Sequence, residues 1–103
     1  MPNLYEAIPK DLPDEVFEQL AAGGSVRVER ILSKGHRSPA SGWYDQGQDE
    51  WVAVLRGEAV LDFEDRPSVT LKAGDYLTIP AHQRHRVAWT TPEVETIWLA
   101  VHF

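Results

Sequence analysis

Residues 50–63 read EWVAVLRGEAVLDF, and this stretch decides the fold. Trp51 to Leu55 is a compact apolar run. Beyond Gly57, Ala59, Leu61 and Phe63 alternate with Val60, Asp62 and Glu64. A period of two is that of a β-strand, whose successive side chains point to opposite faces. The same period extends on both sides. Upstream, Val26, Val28 and Leu32 alternate with Arg27 and Glu29. Downstream, Val69-Thr70-Leu71 follows a Pro67-Ser68 turn, and Tyr76–Ile79 lies between Gly74-Asp75 and Pro80. Arg86–Trp89 comes next, then Glu95 to Phe103, where Ile97, Leu99, Val101 and Phe103 share one face. Short strands separated by turn residues at regular spacing are the signature of an all-β sandwich or barrel. Strands do not alternate with helices, which disfavours a parallel α/β sheet.

The N-terminal region has a different pattern. Residues 1–12 are interrupted by prolines and read as an irregular arm. From Asp11 to Gly24 the residues predict one short amphipathic helix. Asp11 is able to cap it, and Pro13 suits its first turn. Asp14 and Glu15 favour its positive end. Val16, Phe17, Leu20 and Ala21 form one apolar face, and Gly23-Gly24 ends the helix. The expected division is residues 1–24 as arm and helix and 25–103 as barrel, in one domain.

At 103 residues the chain holds a single core. Its 10 Lys+Arg against 16 Asp+Glu give a net charge of −6. This balance disfavours nucleic acid or an anionic membrane as the partner. The chain contains no cysteine, which excludes disulfides, thiolate metal sites and Cys nucleophiles. The first residues lack a basic region followed by an apolar stretch, so a cytoplasmic location is expected. The last strand is apolar on both faces, since Trp98 and Ala100 lie opposite Leu99 and Val101. Such a strand belongs inside the protein or in a subunit contact, and it points to a homodimer.

Metal-binding side chains occur in two segments, WYDQGQDE at 43–50 and PAHQRH at 80–85. Alternation places Glu50, Val52 and Val54 on one face of their strand, and His85, Val87 and Trp89 on one face of theirs. Two inward faces thus each begin with one good ligand. A carboxylate or imidazole buried alone is costly, so Glu50 and His85 are expected to share a metal or a hydrogen-bond partner. Other residues carry less demanding readings. His36 is a loop histidine, His102 packs in the last strand, and Arg84 and Arg86 pair with Asp62 and Glu64 on the surface. Trp43 and Tyr44, in a glycine-flanked loop, are placed to stack on a ligand.

These segments resemble the cupin superfamily. Its first motif runs Gly, five residues, His-x-His, three or four residues, Glu, six residues, Gly. Here Glu50 is followed by six residues and Gly57. The second motif runs Gly, five residues, Pro-x-Gly, two residues, His, three residues, Asn. Here Gly74 is followed by five residues and Pro80, with His85 in the histidine position. The resemblance covers residues 25–103 and implies an antiparallel jelly-roll β-barrel, with the one short N-terminal helix outside it. It also implies a divalent metal, of which Glu50 and His85 match two ligands. The paired histidines are replaced by Tyr44 and Gln46, or by Trp43 and Asp45, according to the spacing used. His82 stands at the glycine of the second motif and Trp89 at its asparagine. Gln46 then joins Glu50 and His85 as a ligand, with Asp45 or Tyr44 as a fourth group. One imidazole with several oxygens suits Mn, Fe(II), Ni or Zn.

The expected function is a small metal-binding cupin taking a small-molecule ligand. As an enzyme it would be an oxygenase or isomerase acting on a small acidic or carbonyl compound, with Tyr44 or His82 transferring protons. The alternative is a non-catalytic binding or sensing module, favoured by the loss of His-x-His and possible without metal.

Overall fold

The computed structural model describes residues 1–103 and contains eight strands. They are β1 (Val16–Gly23), β2 (Val26–Ser33), β3 (Glu50–Arg56), β4 (Glu58–Phe63), β5 (Val69–Lys72), β6 (Tyr76–Ile79), β7 (His85–Thr90) and β8 (Thr96–His102). All pairings are antiparallel. A five-stranded sheet has the order β1-β2-β8-β3-β6, and a three-stranded sheet has the order β5-β4-β7.

The expected N-terminal helix is absent. Residues Val16–Gly23 form edge strand β1, paired with β2 from Val16↔Leu32 to Gly23↔Val26. The register shifts between Gln19 and Ala21, so Leu20 is an extra residue in the strand. A bulge of this kind interrupts the period of two and lets a spacing of four sit on a strand. Phe17 and Leu20 do not share a buried face; both are exposed. Gly24, expected just past the end of a helix, instead opens the two-residue turn from β1 to β2 with φ +58°. The barrel is also not closed. The two sheets face each other as an open pair, with β1 and β6 as edges of one and β5 and β7 of the other.

The core lies between the sheets. Val52, Val54, Ile79, Trp98 and Ala100 from the larger sheet pack with Ala59, Leu61, Phe63 and Leu71 from the smaller one. Alternation along β3, β4 and β8 supplies this face directly from the sequence. A second cluster of Leu12, Leu32 and Ile97, joined by Ile8, Val16 and Leu55, forms outside the larger sheet under the N-terminal arm. Arg30 holds that arm down. Its guanidinium grips Glu18 through two nitrogens at 2.8 and 2.6 Å and donates to the carbonyls of Leu4 and Glu6 at 3.0 and 2.7 Å. All its donating nitrogens are thereby used, which is what a buried arginine requires.

Strand β7 departs from the expected alternation at one point. Val60 pairs with Trp89 while Leu61 pairs with Val87, so Ala88 is a bulge. His85 therefore faces inward with Val87, but Trp89 is turned outward and is 40% exposed, while Thr90 is fully buried.

Gly57 makes the turn by which the chain leaves the five-stranded sheet and starts the other. Its φ is +90°, and a Cβ there would stand 2.7 Å from the Cα of Thr96 on β8. The backbones of β3 and β8 leave no room for that atom. Gly57→Ala is expected to destabilise the protein by about 2 kcal/mol or more, from the left-handed conformation and the overlap together. Urea unfolding of the two proteins measures the difference.

Candidate functional site

Two hydrogen bonds fasten the loop before β3 to β7. Tyr44 N–H donates to the His85 carbonyl at 2.8 Å, and His85 N–H returns to the Tyr44 carbonyl at 3.2 Å. The His82 N–H donates to the Gln46 carbonyl at 2.7 Å, which pins Gln46 beside the start of β7. Asp49 pairs with Phe103 through both backbone groups and extends the β3–β8 ladder to the start of the loop. These contacts bring together the two sequence segments that carry the candidate ligands.

Gln46, Glu50 and His85 meet in the interior. The Gln46 amide nitrogen lies 3.0 Å from Glu50 Oε1 and 3.5 Å from His85 Nε2. His85 Nε2 is 3.7 Å from the same carboxylate oxygen. Glu50 is 8% exposed and His85 5%. The other imidazole nitrogen, Nδ1, stands 2.9 Å from the Gln83 carbonyl. A carbonyl only accepts, so Nδ1 carries a hydrogen, and Nε2 is the ring nitrogen turned towards Glu50 and Gln46; in the neutral ring it presents its lone pair there. The imidazole is further held between the rings of Tyr44 and Phe63, with centroids 5.8 and 6.2 Å away.

Asp45 and His82 are arranged differently. His82 Nδ1 is 2.8 Å from Asp45 Oδ1, and Arg84 Nε is 3.5 Å from Asp45 Oδ2. This cluster sits on the rim, and neither Asp45 nor His82 lines the cleft that contains Glu50. The hydrogen bond from His82 holds the Asp45 carboxyl below the usual 3.8, with Arg84 adding to the effect. Glu64, 3.3 Å from Arg84, and then Asp45 raise the guanidinium in turn. Arg86 lies 3.8 Å from Asp62, so both surface pairings read from the sequence are present. His82 has φ +64°, at the position where the motif carries glycine. A side chain held in this conformation costs on the order of 1 kcal/mol. Its contact with Asp45 ties the rim of one loop to the other.

The cleft above Glu50 has a volume of about 270 Å³. Gln46, Glu50, His85 and Tyr44 line one part; Arg27, Glu29 and His102 line another, with Glu15, Phe17 and Ile31 completing the walls. The sequence reading missed Arg27, Glu29 and His102. Alternation along β8 places His102 on the same side as Trp98 and Ala100, and a polar ring on a core face was the available signal. The register that sets it between Arg27 and Glu50 is visible only in the folded chain. His36, by contrast, is structural: its Nδ1 accepts from the Lys34 N–H at 2.8 Å.

A family model for the cupin domain matches residues 28–102. The chain belongs to the cupin family. A protein of Ralstonia eutropha JMP134, whose provisional name is mannose-6-phosphate isomerase, is 45% identical, and the match covers 99% of this chain and 95% of that one with a TM-score of 0.95. A cupin superfamily protein of Desulfitobacterium hafniense DCB-2 is 22% identical over 93% of this cupin and 83% of that chain, with a TM-score of 0.75; it shares the fold. The uncharacterized protein YdbB of Bacillus subtilis (strain 168) is 43% identical over 53 residues, which are 52% of this chain and 44% of that protein. The match thus spans less than half of that curated relative.

The rim cluster yields a direct test. A carbon-detected NMR titration is expected to place the Asp45 midpoint below 3.8 and to move it up in His82→Ala. The sign follows from the depressed value: the stabilisation is present above the unfolded pKa and is lost as pH falls through the folded one. An unchanged midpoint in the variant would remove His82 as the cause.

Proposed function

We propose that this cupin binds a divalent metal ion through Gln46, Glu50 and His85 and takes a small molecule in the cleft above them. The observation that carries this reading is the state of Glu50. Its carboxylate is buried against the Gln46 amide and His85 Nε2, with no Lys or Arg within ion-pair distance. A buried negative charge needs a positive partner, and a cation supplies it. No third His, Cys, Asp or Glu joins the pair. The third donor is Gln46, which presents its amide oxygen after a half-turn about its last bond. One imidazole nitrogen and two oxygens suit Mn, Fe(II), Ni or Zn, held less tightly than by three imidazoles. The hydrogen bond from His85 Nδ1–H to the Gln83 carbonyl orients a ligand ring in the manner common to metal sites.

When bound, such an ion supplies Lewis-acid or oxygen-activating chemistry. The chain's own part is to bind and orient a small acidic or carbonyl compound against an apolar wall. Tyr44 is the phenol on that wall and the residue for proton transfer; His82 is engaged with Asp45 outside it. The provisional name of the R. eutropha relative makes aldose–ketose interconversion the first activity to assay. A second reading, a non-catalytic binding module without metal, is favoured by one feature: the Gln46 amide itself donates to Glu50 and contacts His85.

Metal analysis of tag-free protein, after incubation with Mn, Fe(II), Ni and Zn, separates the two. Near-stoichiometric metal is expected in the parent and in Asp45→Asn, and little in Glu50→Ala or His85→Ala. The ion should also raise the melting temperature, because a ligand of the native state stabilises it. A parent that retains none of the four metals overturns the metal reading.

The outer face of the five-stranded sheet supports a homodimer. Val28, Val101 and Trp51 stand in one cross-strand row and are half-buried, while Tyr76 and Phe103 at its margins are exposed. A contiguous apolar face of this kind marks an association surface. Sedimentation equilibrium is expected to show a dimer for the parent and a monomer for Trp51→Glu; a monomeric parent would rule the dimer out.

A further inference from the structure

Two aromatic side chains line the cleft above Glu50 and are nevertheless exposed, Phe17 at 60% and Tyr44 at 49%. Phe17 belongs to neither apolar cluster of the fold. It stands on the inner side of edge strand β1, across from Ile31 of β2, which lines the same cleft and packs against the core. Tyr44 is tied by its backbone to β7 of the other sheet, with its ring tilted over the His85 imidazole at 5.8 Å. The two sheets face each other, so the two rings approach the cleft from opposite sides, with Ile31 as apolar floor beside Phe17. Tyr76 and Phe103, also exposed, lie instead on the outer face of the larger sheet, which the proposed dimer would cover. An inward aromatic ring that adds nothing to the core leaves a large apolar area in water, and a ligand in the cleft is what would cover it.

The charged groups of the cleft limit what enters. Glu15, Glu29 and Glu50 line it against a single guanidinium, that of Arg27, so the sum is 1 − 3 = −2. Glu15 is hydrogen-bonded by the Ser33 hydroxyl at 2.7 Å, and Glu29 lies 2.9 Å from His102 Nε2. An anionic ligand would meet three carboxylates. The positive charge that this surplus calls for is supplied by a divalent cation at Glu50, and the sum is then zero. A neutral ligand completes such a cleft without adding an unpaired charge. Its size is limited as well. A dry cavity of about 150 Å³ accommodates benzene, so the 270 Å³ here hold one ring and a few further atoms.

We infer that the cleft takes a neutral compound in which one aromatic ring carries an alcohol or carbonyl oxygen. The ring lies between Phe17 and Tyr44, against Ile31, and the oxygen points to Gln46, Glu50 and His85. Aromatic neighbours prefer a π-system in offset-stacked or edge-to-face contact, which a saturated ring of the same size does not offer. Phe17 is thereby a specificity-determining residue: it selects the ring and touches none of the groups proposed to hold the metal. The inference rests on the small-molecule cleft proposed above and narrows its ligand to the carbonyl side of that reading. Its contacts belong to Phe17 and Tyr44 and are measurable with or without metal.

The test is a titration of the full chain, with and without Zn, followed by NMR at the Ile31 methyl groups. The probes are benzyl alcohol, benzaldehyde, cyclohexylmethanol, benzoate and glyceraldehyde. Benzyl alcohol and benzaldehyde should move the Ile31 methyls by their ring currents. Both should bind about fivefold more tightly than cyclohexylmethanol, which has a similar size and no π-face. Glyceraldehyde, which has no ring, should bind more weakly still. Benzoate should bind more weakly than benzyl alcohol in the metal-free protein, where only Arg27 offsets the three carboxylates. Phe17→Leu should weaken benzyl alcohol about fivefold with metal content unchanged, and Tyr44→Leu should do the same to benzyl alcohol. In the double variant benzyl alcohol and cyclohexylmethanol should bind alike. Should Tyr44→Leu fail to fold, Phe17→Leu and the comparison of the two alcohols in the parent still decide the ring contact. Equal binding of the two alcohols by the parent, unmoved Ile31 methyls, full affinity in Phe17→Leu, or tighter binding of benzoate to the metal-free protein or of glyceraldehyde overturns the inference. A ring preference in a protein that holds no metal would overturn the metal reading alone, and metal retention without a ring preference would overturn this inference alone.

Discussion

The register of β8 between β2 and β3 is the constraint on which the rest of the structure depends. It places Trp98 and Ala100 in the core between the sheets and Ile97 beneath the N-terminal arm. It sets His102 beside both Arg27 and Glu50. It also brings Thr96 against Gly57, at the turn where the chain changes sheets. A slip of one residue would turn every β8 side chain to the opposite face. Trp98 would lose both its core position and the bond from its indole nitrogen to Ser33 Oγ at 3.2 Å. The fold and the cleft therefore share one determinant.

An interior that admits Glu50, His85, Glu29 and His102 must account for each polar atom. Three devices do so. The Gln83 carbonyl holds the His85 tautomer, the Gln46 amide bridges Glu50 and His85, and Glu29 orients His102. Three groups lie outside these devices: Glu50 has no lysine or arginine beside it, His102 Nδ1 has no partner, and Arg27 makes no ion pair. The rim cluster of Asp45, His82 and Arg84 acts on the loops instead, by locking the segment that carries Gln46 to the segment that leads into His85.

Alternation, one compact apolar run and the turn residues between them located seven of the strands, because a strand buried on one face carries its apolar residues at every second position. The same rule failed where a bulge adds a residue. At Leu20 it made a strand look like a turn of helix, and at Ala88 it carried Trp89 out of the core. Bulges depend on the neighbouring strand, so no local pattern announces them. Open sheet edges were likewise invisible, since closure is a property of the pairing of distant strands.

For the site, the sequence by itself determined the inward faces that begin with Glu50 and His85, and the spacing of Gly57 and Pro80 around them. Periodicity and motif spacing are properties of the chain alone. The resemblance had already put Gln46 with this pair; only the tertiary structure decided that Asp45 turns to His82 instead, and that Arg27, Glu29 and His102 furnish the rest of the cleft. Those choices depend on strand register and on backbone hydrogen bonds between segments some forty residues apart, and neither exists until the two sheets have paired.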